Sequence, residues 1–586
     1  MFVAAHHPLG PAPAMILCAG AAALCAALPN AWLLVLPALL PVIDLAPWTG
    51  WLTFEEFDIL VLAAAAGAWF RRAWHLQPEQ ASRPSLTMLG FTGLLLAAAA
   101  VAFLRGIEDA GGFQFGWFQG YEGSMNSLRL AKSSVEAALF APLLAQAMSS
   151  RNPRGTALLA WGMTLGLALA SLAAIWERVA FPGLLNFSSD YRTTALFWEM
   201  HVGGAAFDGF LALTVPFAVL ALLRARGTAQ ILPAAAILTL GTYACLTTFS
   251  RGVYLAETAS LAALAMAMPG RRSSGGGDAL PPGKFIATRA LLGALSVAAA
   301  IGLSFLVFRH GGYRALIAVL GCLTVLVLGG PIARGASSRN WGVAIVGGTF
   351  LAAAILAAGL LASKGAYWAF AVVFLLALAS IAASRRPDRQ PACGLLLATS
   401  LSLPVAAAQV AEHWGGPAAL GDAVIALGVI AALAARNIRA VEPLWPTNLG
   451  RQSAALVGVL SLAGLTAVFV GGAYIGGRFA TSEQDFAGRQ DHWRAALELL
   501  RTPADWLLGK GLGRFPASFF FGAPGSEFPG RYQLGQEPGK TFLSLSGPHY
   551  QIGHGEKLRI SQRVRLGPPG RYHVEFDGRA PRSASL

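Results

Sequence analysis

The chain has 586 residues, 55% hydrophobic and 12% charged, with a formal net charge of +14. Soluble domains carry roughly 25% charged residues, so a soluble enzyme and a disordered chain are excluded. The mean hydropathy is +0.57, and many stretches of about 18–22 residues carry no charge, the length that crosses a ~30 Å hydrocarbon core. This is the composition of a polytopic membrane protein.

The excess of basic residues lies in short loops between apolar segments. There it orients the spans by the positive-inside rule, and no nucleic-acid partner is expected. Cys18, Cys25, Cys245, Cys322 and Cys393 all lie inside apolar segments without metal-ligand spacing, which argues against a disulfide scaffold. The N-terminus has no basic n-region or clear cleavage site, so its apolar stretch reads as retained.

Apolar spans are expected near 14–29, 31–47, 54–70, 85–105, 129–149, 155–180, 205–225, 229–249, 252–269, 286–308, 314–332, 340–361, 366–384, 392–410, 417–435 and 453–475. Pro29 and Asn30 separate the first two, which can be read as one broken element. The expected fold is therefore an all-α polytopic transmembrane bundle of about 14–16 helices, occupying 1–475. Loops carrying Arg71, Arg72, Arg83, Arg151, Arg154, Arg224, Arg226, Arg271, Arg272, Lys284, Arg289, Arg334, Arg339, Arg385, Arg386, Arg389, Arg436, Arg439 and Arg451 read as cytoplasmic. The alternate loops, 106–128, 181–204, 250–251, 309–313 and 411–416, then face outward, with everything after about residue 476. Residues 271–284 form a Gly/Ser/Pro-rich linker, and no internal repeat stands out.

After the last span, 476–520 read as an extracytoplasmic amphipathic helix and Gly-rich loop. In 485–501, Trp493, Ala496, Leu497 and Leu500 share one face at helical spacing, and Pro503 ends the helix. That face suits the membrane surface or the bundle. Residues 521–586 read as a small β-rich tail. In it Leu558, Ile560, Val564 and Leu566 alternate with Arg559, Ser561, Arg563 and Arg565, and Tyr572, Val574 and Phe576 follow a GPPG turn. A lone hairpin is marginal in water, so either residues 515–550 add strands or the chain stops at Leu586 inside a larger sandwich, the second being the preferred reading.

A charge in or beside a span is a functional hypothesis by default. Four outward arginines meet that description. Arg192 lies in SSDYRTTALFWEMH, Arg251 in TTFSRGVYL, Arg478 in YIGGRFATSEQD, and Arg489 four residues before Trp493 on the amphipathic helix. Each has a plainer reading: a solvated loop charge for Arg192, interfacial snorkelling for Arg251, stop-transfer decoration for Arg478, and a phospholipid contact for Arg489. Taken together they suit a phosphate, because a guanidinium makes bidentate, charge-assisted hydrogen bonds.

Three stretches resemble the O-antigen ligase and O-antigen polymerase superfamily of bacterial inner-membrane glycosyltransferases. They are Arg192 before a span containing TVPF, the helix opening Ser250-Arg251-Gly252, and GRQDHWRAALELLRTPADWLLGKGLGRF, with an arginine-x-x-x-tryptophan helix, Pro503 and the glycines Gly509, Gly511 and Gly513. The resemblance spans roughly 30–520. It implies Arg192, Arg251, Arg489 and His549 as catalytic residues, and Arg478, Asp485, Trp493, Gly511 and Gly513 as substrate-binding. His549 stands near the distance of the family's outward histidine, yet no apolar span follows it, a departure from that pattern.

The resemblance further implies glycan transfer or polymerisation from a polyprenyl-diphosphate-linked donor onto an acceptor hydroxyl of a glycan, lipid or protein, at the outer face of the bacterial inner membrane. Charge developing on the diphosphate would be met by preorganised cations. No cofactor is expected and no metal, since no Asp-x-Asp pair or His/Cys cluster lies on the outer side. The general base stays open among Asp190, Glu199, His201, Asp485 and His549. The competing class is a polysaccharide or lipid-linked glycan transporter or flippase, for which paired broken helices and repeats would be the mark.

Overall fold

The computed structural model describes residues 1–8, 10–43, 52–74, 86–120, 123–148, 153–197, 203–267, 282–384, 390–439, 449–472, 482–522, 531–546, 571–573, 575 and 577–579. Its architecture is an all-α bundle. The helices before the first long span are α1 (Phe2–Ala5), α2 (Pro11–Ala27), α3 (Trp32–Leu39) and α4 (Glu56–Trp74). Next come α5 (Leu86–Asp109), α6 (Met125–Ala147), α7 (Pro153–Ala180), α8 (Gly203–Arg224), α9 (Thr228–Thr247) and α10 (Arg251–Ala267). The second half holds α11 (Pro282–Arg334), α12 (Ser338–Leu361), α13 (Gly365–Ser384), α14 (Gln390–Arg439) and α15 (Leu449–Gly471).

Nine helices among the described residues are long and apolar enough to cross a membrane: α5, α7, α8, α9 and α11 through α15. The chain is a multi-pass membrane protein. The count is lower than hydropathy alone suggests, for three reasons. First, α11 and α14 are continuous helical stretches of 53 and 50 residues, each broken once. Straight, they would be about 80 and 75 Å long at 1.5 Å per residue, more than twice a ~30 Å core. Second, charges shorten the apolar runs of α4 and α6: Glu56 and Asp58 stand in the first turn of α4 and Arg71 and Arg72 in its last, and Arg129, Lys132 and Glu136 lie within α6. Third, α3 has only 8 residues, and α2 and α10 have 17 each among the described residues, short of the about 20 of a full crossing.

The breaks have a sequence cause. Gly312 (φ 56°, ψ −160°) and Gly416 (φ 69°, ψ −163°) adopt nearly the same backbone conformation, one that a Cβ makes costly. Each is the second glycine of a Gly-Gly pair that follows a histidine: His310-Gly311-Gly312 and His413-Trp414-Gly415-Gly416. The two breaks touch, because a Cβ on Gly415 would lie 2.3 Å from the His310 carbonyl oxygen, and one on Gly312 would lie 3.2 Å from Trp414 Nε1. So a paired interruption exists where no repeat was read in the sequence.

Small residues let these helices approach. Ala406, Ala407, Ala411, Ala419, Ala423 and Ala426 of α14 are fully buried against Val319, Cys322 and Val325 of α11. Without a hydrophobic driving force in lipid, such close backbone packing is what holds a bundle together. Large apolar side chains point the other way: Phe91, Leu94, Phe350 and Leu360 are exposed, as lipid-facing residues should be. All five cysteines are buried and free, in line with a packing role.

Beyond the bundle the chain forms α16 (Ser482–Glu498), α17 (Pro503–Leu508) and α18 (Phe515–Gly522). The β-rich tail is not borne out. A two-residue Pro538-Gly539 turn joins one antiparallel hairpin, Arg531–Glu537 with Lys540–Ser546, pairing Glu537 with Lys540. Gly539 has φ 80°, which suits Pro then Gly at the centre of a tight turn. This hairpin lies within 515–550, upstream of the alternating segments read at 558–566 and 572–576. Residues 558–566 fall outside the described residues, and 571–573, 575 and 577–579 form no strand. Alternation in sequence marks a face, but a strand also needs a neighbour to satisfy its backbone.

Gly415→Ala should destabilise the bundle by about 1–3 kcal/mol, the usual cost of overpacking a tight seam. Thermal unfolding in detergent, followed by size exclusion, reads this as a lower midpoint. A wild-type midpoint would mean the breaks do not lean on one another.

Candidate functional site

The site is built from the loop 181–197, the turn between α9 and α10, and the start of α8. Two adjacent residues near the end of α7 shape the loop. The Glu177 carboxylate accepts from the Tyr191 hydroxyl (2.8 Å), from Thr194 N–H (3.1 Å) and from Ala195 N–H (2.6 Å). These bonds hold Ala195 at φ 54°, a left-handed conformation that a non-glycine residue seldom adopts without such ties. Burial pushes the Tyr191 phenol upward, and its bond to Glu177 adds to the shift. Arg178, fully buried, donates through Nη2 to the Asn186 carbonyl and stacks over Phe187 at 5.5 Å.

Phe187 fastens the loop to the bundle. Its ring meets Phe249 (6.2 Å), Tyr243 (6.3 Å) and Tyr313 (6.0 Å). Phe249, at φ 49°, is the pivot of the α9–α10 turn. Thr247 and Thr248 are fully buried, and their hydroxyls donate back to the carbonyls of Ala244 and Cys245, satisfying groups the turn would otherwise orphan.

Arg192 crosses from the loop to this turn. Its Nε donates to the Thr248 carbonyl (2.9 Å), and Nη2 reaches Asp208 Oδ2 of α8 (3.2 Å). Thr193 N–H bonds the Thr247 carbonyl (3.2 Å) beside it. Three residues beyond Thr248, Arg251 opens α10, half-buried. Arg251 thus lies three residues along the chain from the carbonyl that Arg192 binds. Arg192 keeps 34% of its side chain exposed and Asp208 17%, so the pair stays open to a ligand. Deeper in α10, Glu257 has both carboxylate oxygens buried with no hydrogen-bond partner among the described residues.

The other expected residues go elsewhere. Arg489 and Trp493 are exposed on α16. There Trp493 meets Phe486 (6.3 Å), while His492 packs on Phe515 and Phe519 of α18 (5.6 and 5.3 Å). Among the described residues these ring contacts of α16 are made within the segment that follows the bundle. Asp485 belongs to α16, with its side chain outside the description. Arg478 and His549 lie outside the described residues, as do Glu199 and His201. Asp190 is exposed in the loop.

Gly511 and Gly513 have a packing role. They have φ 101° and 73°. A Cβ on Gly511 would lie 2.5 Å from Gly106 N, and one on Gly513 2.8 Å from the Asn126 carbonyl oxygen. The loop after α17 therefore docks on α5 and α6. Leu512 N–H bonds the Ala102 carbonyl (2.7 Å), Asn126 Nδ2 the Gly513 carbonyl (2.7 Å), and Arg514 the Asp109 carboxylate (2.7 Å). Asp505 anchors the dock, accepting from Arg105 and Lys510 (both 3.1 Å) and capping α17 with Thr502. Burial pushes the Asp505 carboxyl up, but hydrogen bonds from Lys510, Thr502 and Arg501 outweigh it and hold the group down at about 2.

A further charged cluster surrounds the helix breaks. Asp422 accepts from Arg309 through two bonds (2.9 and 2.7 Å) and lies 2.8 Å from His310 Nδ1. Arg314 lies 3.8 Å over Trp414 and bonds the Tyr367 hydroxyl (3.0 Å). Among the described residues no three His, Cys, Asp or Glu side chains gather as metal ligands.

Sequence reasoning weighed the arginines and passed over their acids. Asp208, Glu257 and Asp422 were there to find as carboxylates inside apolar runs: FDGFL, LAETA and LGDAV. Compared with known proteins, the chain matches no family model, no curated protein and no solved structure.

Asp505→Ala should free the 501–514 loop from α5 and α6, seen as faster tryptic cleavage at Arg501 and Lys510. Because the folded carboxyl titrates near 2 against the usual 3.8, its contribution is full above about pH 4 and is lost as acid approaches pH 2. Cleavage at the wild-type rate would remove Asp505 as the anchor.

Proposed function

We propose that the protein is a glycosyltransferase of the O-antigen ligase or polymerase kind. It would move a glycan from a polyprenyl diphosphate to an acceptor hydroxyl of a glycan, lipid or protein, at the outer face of a bacterial inner membrane. One observation carries the reading. Arg192 and Arg251 flank the α9–α10 turn, and the Arg192 guanidinium is oriented by a backbone carbonyl yet remains open. A preorganised guanidinium of this kind suits the charge that builds on a departing diphosphate, where a single donor is worth about 2.7–4 kcal/mol.

The outward orientation is part of the proposal. Phe187 and Tyr313 link the α9–α10 turn to the break in α11. Arg334 instead bonds the Asn437 carbonyl (3.0 Å) at the far ends of α11 and α14, near Arg339, Arg436 and Arg439. That basic end is the cytoplasmic one under the positive-inside rule. Arg489 contributes at the membrane surface in this reading, since α16 exposes Phe486, Trp493 and Leu497.

A transporter or flippase is the second reading, favoured by the paired breaks at Gly312 and Gly416, a feature of transporter folds. Purified protein in liposomes with a polyprenyl-diphosphate-linked oligosaccharide and a hydroxyl acceptor separates the two. Transfer predicts a new glycosidic product that Arg192→Ala or Arg251→Ala lowers at least about 100-fold, with EDTA without effect. Movement of the lipid-linked glycan with no new bond would replace the transferase by the transporter, and full activity of both variants would remove the arginines from the chemistry.

A further inference from the structure

We infer that the break-bearing end of α11 and α14, with the start of α13, is a glycan-binding platform: Trp414 stacks on a sugar ring, and Arg309 and Arg314 hold the carboxylate of an acidic sugar. The binding stands on geometry. That the bound glycan is the one transferred or extended rests on the transferase reading.

Three helices meet at this end. Arg314 follows the break of α11, Tyr367 lies in the first turn of α13, and Trp414 precedes the break of α14. The Arg314 guanidinium lies 3.8 Å over the Trp414 ring, and its Nη1 donates to the Tyr367 hydroxyl at 3.0 Å. His413 meets the Tyr367 ring edge-on at 5.3 Å. A Cβ on Gly312 would come within 3.2 Å of Trp414 Nε1, so the indole is seated against the α11 break. Ring and guanidinium are thus fixed before a ligand arrives. Yet Trp414 is 52% exposed. With one face under Arg314, that area belongs to its other face and its edges.

A lipid belt accounts for these rings less well. Interfacial Trp and Tyr place their apolar bodies among acyl chains and their polar tips in water. Here a cation covers one Trp414 face and takes up the Tyr367 hydroxyl, an arrangement for an aqueous surface. A pyranose has a face of C–H bonds that packs on the negative face of an aromatic ring. Its hydroxyls and any carboxylate then need donors close by. Arg309 spends Nε and Nη2 on Asp422 yet keeps 41% of its side chain exposed. His310 turns Nδ1 to the same acid and is 45% exposed. Asp422 itself is 7% exposed, so the acid is covered while its cationic partner is not. Among the described residues of 309–314, 361–367 and 411–416, the exposed bases are Arg309, Arg314 and Lys364, and the exposed acid is Glu412. That balance favours an acidic sugar over a neutral one, because a uronate carboxylate takes the paired hydrogen bonds a guanidinium makes.

The platform adjoins the Arg192 loop. Tyr313, between Gly312 and Arg314, packs on Phe187 of that loop at 6.0 Å. A glycan on Trp414 therefore lies beside the segment that presents Arg192.

Full-length protein in phosphatidylcholine nanodiscs, titrated with hexagalacturonate by calorimetry, tests this, with maltohexaose as the neutral comparison. Hexagalacturonate should bind at least about tenfold more tightly than maltohexaose. Arg314→Gln and Trp414→Ala should each weaken it at least about tenfold, the weight of one charge-assisted hydrogen bond, and Trp414→Phe should recover most of the affinity. On the wild-type protein, which needs no variant to fold, hydroxyl-radical oxidation of Trp414 should fall on binding, relative to the exposed Trp506. No binding, equal binding of the neutral sugar, wild-type affinity in Arg314→Gln or unchanged oxidation of Trp414 overturns the platform. Loss of binding when phosphatidylglycerol is added to the nanodisc makes this a lipid-headgroup site and overturns it too. Glycan transfer from a polyprenyl-diphosphate-linked donor without hexagalacturonate binding sinks the platform and leaves the transferase reading standing. Binding without transfer does the reverse.

Discussion

The bond from Arg192 to the Thr248 carbonyl is the constraint on which the rest of the site depends. It joins a loop to a turn that is strained at Phe249, and it aims the guanidinium toward α8. A cation at the rim of hydrocarbon must be paired, hydrated or snorkelled. Here backbone supplies one partner and Asp208 another. The loop can present Arg192 this way only because Glu177 and Arg178 brace it from below, one acid on three donors and one base on a carbonyl and a ring. Two adjacent residues of opposite charge thus set the path of the loop that follows them.

How far this was legible in the sequence differs by element. The long apolar helices could be read because a ~30 Å core demands uninterrupted runs, and loops such as 309–313 and 411–416 fall on the observed breaks. Arg192 and Arg251 were legible as charges at span ends. That Arg192 reaches the turn preceding Arg251 was not, since it rests on a hydrogen bond to Thr248, 56 residues from Arg192. Asp208 is a lone carboxylate in an apolar run, and periodicity carries no hint that its partner lies one loop away. The family resemblance implied Gly511 and Gly513 as substrate-binding; what they make is a close backbone approach. The surface approached is Gly106 and Asn126.

The hairpin at 531–546 shows what a short reversal contributes. Its strands alternate apolar and polar residues without a clean period of two. Pro538-Gly539 fixes a two-residue reversal, so pairing starts locally with a short closed loop.

The matched breaks of α11 and α14 carry the last step. Glycine pairs after histidines put both reversals at one level, and the small residues of α14 let them close on each other. Asp422, seated in the second helix after its break, then ties Arg309 before the break of the first. That clamp and the alanine seam tie α11 to α14. The Arg192 turn rests on this pair through Phe187 against Tyr313, the residue next to Gly312. The Arg192–Asp208 pair therefore sits beside a frame whose own ion pair is bidentate, its acid buried and its guanidinium 41% exposed. An anion drawn to Arg192 need not disturb Asp422, because the two arginines are held by different geometry.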